Sequence, residues 1–170
     1  MALKVLKFGG SSLADARQFQ KVAAIVRSDE ERRYVVPSAP GKRFDNDTKV
    51  TDLLYACHAA AQRGDGFEEA FQRVERRFNA IIEDLGLSLD LSGEFETIRC
   101  SILGGASADY AASRGEYLSG KVLSALLGFP FVDAADLIYF RENGSVDDDR
   151  TYEKLYELAN HESCAVIPGF

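Results

Sequence analysis

The sequence predicts an α/β protein, a three-layer αβα sandwich on a mainly parallel sheet, and two observations carry that expectation. Strand-like apolar runs alternate with segments of helical period, the order that builds parallel sheets. At the first junction, Lys4-Val5-Leu6-Lys7-Phe8 runs into Gly9-Gly10-Ser11-Ser12, which reads as strand, tight loop and helix.

That glycine turn is also the first candidate site. Glycines let backbone N–H groups turn toward a ligand, and a helix start has spare N–H groups and partial positive charge. Lys7, Gly9, Gly10 and Ser11 therefore suit an anion such as phosphate. The turn matches neither G-x-x-x-x-G-K-[ST] nor G-x-G-x-x-G, so a plain strand-to-helix turn remains open on local chemistry alone.

At 170 residues, 46% apolar and 28% charged, the chain suits one domain or one large part of a bigger one. A net charge of −7 argues against nucleic acid or an anionic membrane surface as partner. Cys57, Cys100 and Cys164 form neither a disulfide framework nor a C-x-x-C pair, which points to a reduced, cytoplasmic protein. No stretch reaches the roughly 18 apolar residues of a membrane span, and no apolar signal core precedes the first strand.

Behind the glycines, Leu13, Ala16, Phe19, Val22, Ala23 and Val26 have helical spacing, with Ser12 placed to cap. Residues 27–33 read as a last turn and a solvated loop. Tyr34-Val35-Val36-Pro37 is the second strand, ending at Ser38. Residues 39–49 are polar and read as a mobile loop on the ligand-binding rim, most of its charges merely solvated. Val50-Thr51-Asp52 opens a helix through Leu53, Leu54, Cys57 and Ala60, where the Thr51 hydroxyl can cap, contact a ligand, or both.

Phe67, Phe71, Val74, Phe78, Ile81 and Leu85 form a stripe that fits a core helix better than a partner-binding one. Gly86 closes it, and a further helix holds Ile98, Ile102 and Leu103 before Gly104-Gly105. Ser107 caps a long helix to Leu127, in which Gly115 implies a close neighbour and Glu116 reads either as a site residue or as a surface carboxylate. Residues 131–133 read as a third strand and 137–140, with Asn143-Gly144, as strand and hairpin turn. Residues 147–149 cap a helix over 152–158 rather than bind metal, His58 and His161 have no partner pattern, and residues 164–170 form a last strand.

Taken in order, Lys7-Phe8-Gly9-Gly10-Ser11-Ser12, Val36-Pro37-Ser38-Ala39 with Val50-Thr51-Asp52, and Ser113-Arg114-Gly115-Glu116 resemble the aspartate kinases of the amino-acid-kinase family. The resemblance spans essentially the whole chain. It implies phosphoryl transfer from ATP, bound with Mg2+, to the side-chain carboxylate of L-aspartate, in the biosynthesis of lysine, threonine and methionine. Lys7 would stabilise the phosphoryl group, Gly9 and Gly10 would donate N–H groups, Ser38 and Thr51 would hold substrate, and Glu116 would pair with the α-ammonium. It also implies that residues 1–170 are the N-terminal, substrate-binding part of the catalytic domain. The ATP-binding half and regulatory ACT domains would lie beyond, the complete protein would be a homo-oligomer, and the chain alone is expected to be inactive. Another carboxylate or carbamate kinase of the same fold, or a non-catalytic binding module, are the alternatives.

Overall fold

A computed structural model describes residues 3–169. Strands β1 (Lys4–Phe8), β2 (Arg32–Pro37) and β3 (Ala165–Val166) form a parallel sheet in the order β1-β2-β3. The register sets Phe8 beside Pro37 and Tyr34 beside Ala165. Six α-helices complete the order: α1 (Ala16–Arg27), α2 (Val50–Arg63), α3 (Phe67–Leu85), α4 (Ser92–Leu103), α5 (Ala108–Leu127) and α6 (Asp148–His161).

Side-chain alternation along the strands divides the molecule. Val35 and Val166 join one core with residues of α1 to α5, and Phe8 packs against it. On the other side of the sheet the Tyr34 hydroxyl donates to the Glu162 carbonyl at 2.7 Å, and Val36, Ile167 and Leu155 of α6 line one hollow. The α3 stripe is spent on this core: Phe71, Val74, Phe78 and Ile81 are buried, so it presents no free face to a partner. Gly86, Gly104 and Gly128 end α3, α4 and α5, as their positions suggest.

Several local expectations need correction. Ser12 does not cap α1. A short 3-10 turn, Gly10–Leu13, intervenes, and Asp15 caps α1 by accepting from the Gln18 N–H at 2.9 Å. The second strand starts at Arg32, within the segment read as loop. Residues 131–133 and 137–140 do not become strands: Phe131 makes one parallel bridge to Val166, Phe140 one antiparallel bridge to Val146, and a 3-10 turn fills Ala134–Asp136. The last strand covers only Ala165–Val166; Phe170 lies outside the described residues. Other expectations hold. Ser107 caps α5 and Asp147 caps α6, while all three cysteines are free. No described helix is long and apolar enough to cross a membrane.

Candidate active site

The strands end on one rim. Ser38 N donates to the Phe8 carbonyl at 2.9 Å, and Ile167 N donates to Val35 at 3.0 Å, so the segments after all three strands leave the sheet side by side. In parallel sheets this is where ligands bind, because the chain must leave the sheet there and its loops can spread around a crevice.

A cleft of about 490 Å³ opens on that rim, lined by Gly10, Ser11, Ser38, Thr51 and Glu116 together with residues 39–42 and Lys49. Five of the seven residues singled out from sequence thus meet in one place. Gly9 is exposed and starts the 3-10 turn, its carbonyl accepting from Ser12 N at 2.9 Å. Lys7, exposed at the end of β1, does not line the cleft but acts electrostatically on Glu116.

Glu116 is half-buried on α5. Burial, which penalises the charged form, pushes its carboxyl above the ordinary glutamate value. The charge of Lys7, backbone N–H groups of Ala39 and Gly169, and the Ser38 hydroxyl all work against that rise. Glu116 is therefore not a plain surface carboxylate, and the close neighbour that Gly115 implies is present. A Cβ on Gly115 would stand 2.8 Å from the Ala39 Cβ and 3.3 Å from Val50 Cγ1. Its absence lets α5 press against the Ser38-Ala39 corner and deliver Glu116 there.

Residues 39–49 are not a mobile loop. Buried Arg77 of α3 donates to the Gly41 carbonyl at 2.9 Å and the Thr48 carbonyl at 3.2 Å, and pairs with Asp47 at 2.8 Å. Asp47 also accepts from Arg43 Nε at 2.8 Å and from its backbone N–H at 2.9 Å. These bonds hold the Asp47 carboxyl well below the usual carboxylate range, the Arg43 side chain contributing most. Sequence reasoning passed over Arg77, although its place three residues after Val74 and four before Ile81 puts it on the buried stripe. Lys42 and Lys49, read as solvated, line the cleft.

Residues 2–170 match the family model described as Amino acid kinase family. The chain belongs to that family. Its relatives include Aspartokinase 3 of Bacillus subtilis (strain 168), 34% identical over 99% of this chain. The crystal structure of Clostridium acetobutylicum aspartate kinase superposes over 100% of the chain with TM-score 0.96 at 46% identity. E. coli aspartokinase III in complex with aspartate and ADP shares the fold over 99% of the chain, with TM-score 0.75 at 22% identity. The chain spans 40% of the Bacillus protein, 39% of the Clostridium chain and 40% of the E. coli chain. Among the described residues of this family member, no three His, Cys, Asp or Glu side chains group to hold a metal.

Proposed function

We propose that this chain is the aspartate-binding and phosphoryl-facing part of an aspartate kinase, with turnover belonging to the complete protein. One observation carries the reading: Glu116, half-buried beside Ser38, sits across the cleft rim from the glycine turn and within electrostatic reach of Lys7. A carboxylate held by N–H donors in a partly desolvated cleft is suited to take the α-ammonium of an amino acid. Ser38 and Thr51 then hold substrate through their hydroxyls. That leaves the substrate's side-chain carboxylate directed toward Lys7, Gly9, Gly10 and Ser11.

The chemistry asks little else of the protein. A substrate carboxylate oxygen attacks the γ-phosphorus of ATP, the bond to the ADP oxygen breaks, and 4-aspartyl phosphate forms. No general base is required, because the nucleophile is already ionised. Lys7 and the backbone donors of the glycine turn stabilise charge spread over the phosphoryl oxygens in transit. Calorimetric titration of the 170-residue chain with L-aspartate, L-glutamate and ATP tests the substrate assignment. Aspartate binding that disappears in Glu116→Gln supports it; aspartate binding unchanged in that variant removes Glu116 from the site.

A further inference from the structure

On the other flank of residues 39–49, away from the cleft, Arg43, Arg73, Arg76 and Arg77 line a second hollow of about 240 Å³ with Asp47 and Thr48. Four guanidinium groups gathered in a chain of net charge −7 repel one another unless anions offset them. Asp47 offsets part, holding Arg43 by both guanidinium Nε and a terminal nitrogen at 2.8 and 2.9 Å, and Arg77 at 2.8 Å. Asp15, the α1 cap, acts on Arg43 and Arg77 from nearby.

The other two arginines have much less. An Arg73 terminal nitrogen lies 3.4 Å from Thr48 Oγ1, and Arg76 Nε donates to the Gln72 carbonyl one turn back at 3.2 Å. Arg77 is 5% exposed, and its Nε is buried with no hydrogen-bond partner. Among the described residues Arg43 and Arg77 pair with Asp47 while Arg73 and Arg76 make no ion pair, which leaves two positive charges unmatched. Arg73, Arg76 and Arg77 stand at i, i+3 and i+4 on one rigid helix, so they share a face and converge without loop ordering.

We propose that this hollow binds a phosphate group, free or carried on a small phosphomonoester, through Arg43, Arg73 and Arg76. Guanidinium forks match phosphate oxygens in geometry, and a dianion balances the two surplus charges where a monocarboxylate would not. The site is separate from the cleft, yet the two share a wall. Lys42 and Lys49 face the cleft, while Arg43, Asp47 and Thr48 face the arginines. An anion that draws Arg43 from Asp47 loosens the bonds that shape this wall, so occupancy alters the cleft, and by linkage the cleft's ligands alter phosphate affinity.

The test is a residue-resolved amide NMR titration of the 15N-labelled chain with inorganic phosphate and, separately, methyl phosphate, at ionic strength fixed with KCl. Saturating shifts at residues 43–48 and 73–77, with Kd on the order of 1 mM, are expected from at least one anion. They should persist in Lys7→Ala, which disables the other phosphate-facing site, and weaken by about tenfold or more in Arg73→Gln/Arg76→Gln. Both arginines are exposed, and the variant's own spectrum reports its fold; Arg76→Gln alone gives the same direction. The tighter of the two anions identifies the source of the phosphate group. The proposal is overturned by unshifted arginine-face amides with both anions, by shifts confined to Gly10 and Ser11, or by an affinity indifferent to the arginine substitutions.

Discussion

Gly10 and Gly41 meet backbone to backbone: the Gly41 N–H donates to the Gly10 carbonyl at 2.7 Å, and a Cβ on Gly41 would lie 2.7 Å from the Gly10 carbonyl carbon. The turn after β1 and the segment after β2 are thereby clamped into one wall of the cleft. Because the obstructing atoms are main chain, no rotamer change can make room. Gly41→Ala should cost about 1–3 kcal/mol of stability, as overpacking does, read from urea unfolding, and should weaken aspartate binding in the folded fraction.

Two helical glycines should respond with opposite signs. At Gly115 an added methyl meets Ala39 Cβ at 2.8 Å and Leu54 Cδ1 at 3.2 Å; overpacking of about 1–3 kcal/mol outweighs the helix-propensity gain of about 1 kcal/mol. Gly115→Ala is expected to destabilise. Gly93, in the first turn of α4, has nothing within 4 Å, so Gly93→Ala should stabilise by up to about 1 kcal/mol. Paired denaturant melts decide both.

On the proposed reading, Glu116 in the cleft and Lys7 beside it should separate kinetically in a complete enzyme. Lys7→Ala is expected to lower kcat by about 100-fold or more with little change in aspartate KM, since its charge is needed mainly as the phosphoryl group moves. Glu116→Ala should chiefly raise the aspartate KM, because an ammonium contact exists in ground and transition states alike. An unchanged kcat for Lys7→Ala, or an unmoved KM for Glu116→Ala, would reverse the assignment.

Stability should follow pH through Glu116 in a definite direction. Its folded value is raised, chiefly by burial, so the folded state holds the proton more tightly; the contribution to stability is full below the unfolded glutamate value and is lost as pH rises through the folded value. Glu116→Gln, which cannot ionise, should gain stability over wild type as pH rises from about 4 to 7. Melting temperatures of the two proteins across that range check the sign. The gain would come with lost substrate affinity.

Asp47 is linked in the opposite sense. Its carboxyl is held far below the ordinary range, first by Arg43, so its contribution is present above the unfolded aspartate value and lost as pH falls through the folded one. Asp47→Asn at neutral pH strands the buried Arg77 charge and should cost about 3 kcal/mol. The deficit should shrink in acid, where the unfolded wild-type chain takes up a proton that the folded carboxylate still refuses. Urea midpoints at pH 7 and pH 2.5 measure it.

Helices were the legible part of this sequence, because a buried stripe such as Phe71-Val74-Phe78-Ile81 leaves a period that needs no knowledge of its partner. Strands were less so. Phe131 and Phe140 have strand-like composition, yet each makes a single bridge, since a strand exists only where a neighbour supplies hydrogen bonds. In the cleft, Ser38, Thr51 and Glu116 were readable as polar residues at element boundaries or beside an interior glycine. Arg77 was not, because a guanidinium on an apolar stripe is explained only by the carbonyls of Gly41 and Thr48 folded over it.

The surroundings of Glu116 make the cleft a checkpoint on assembly. Its carboxylate is gripped by a side chain and an N–H that follow β2, by the charge at the end of β1, and by the N–H of Gly169 that follows β3. A slip of β3 by one residue in its own C-terminal direction would bring Pro168 to that place, and proline has no N–H to give. A chain paired in that register would still have a sheet but would lose the third strand's share in holding the carboxylate, so the setting of Glu116 reports on strand alignment.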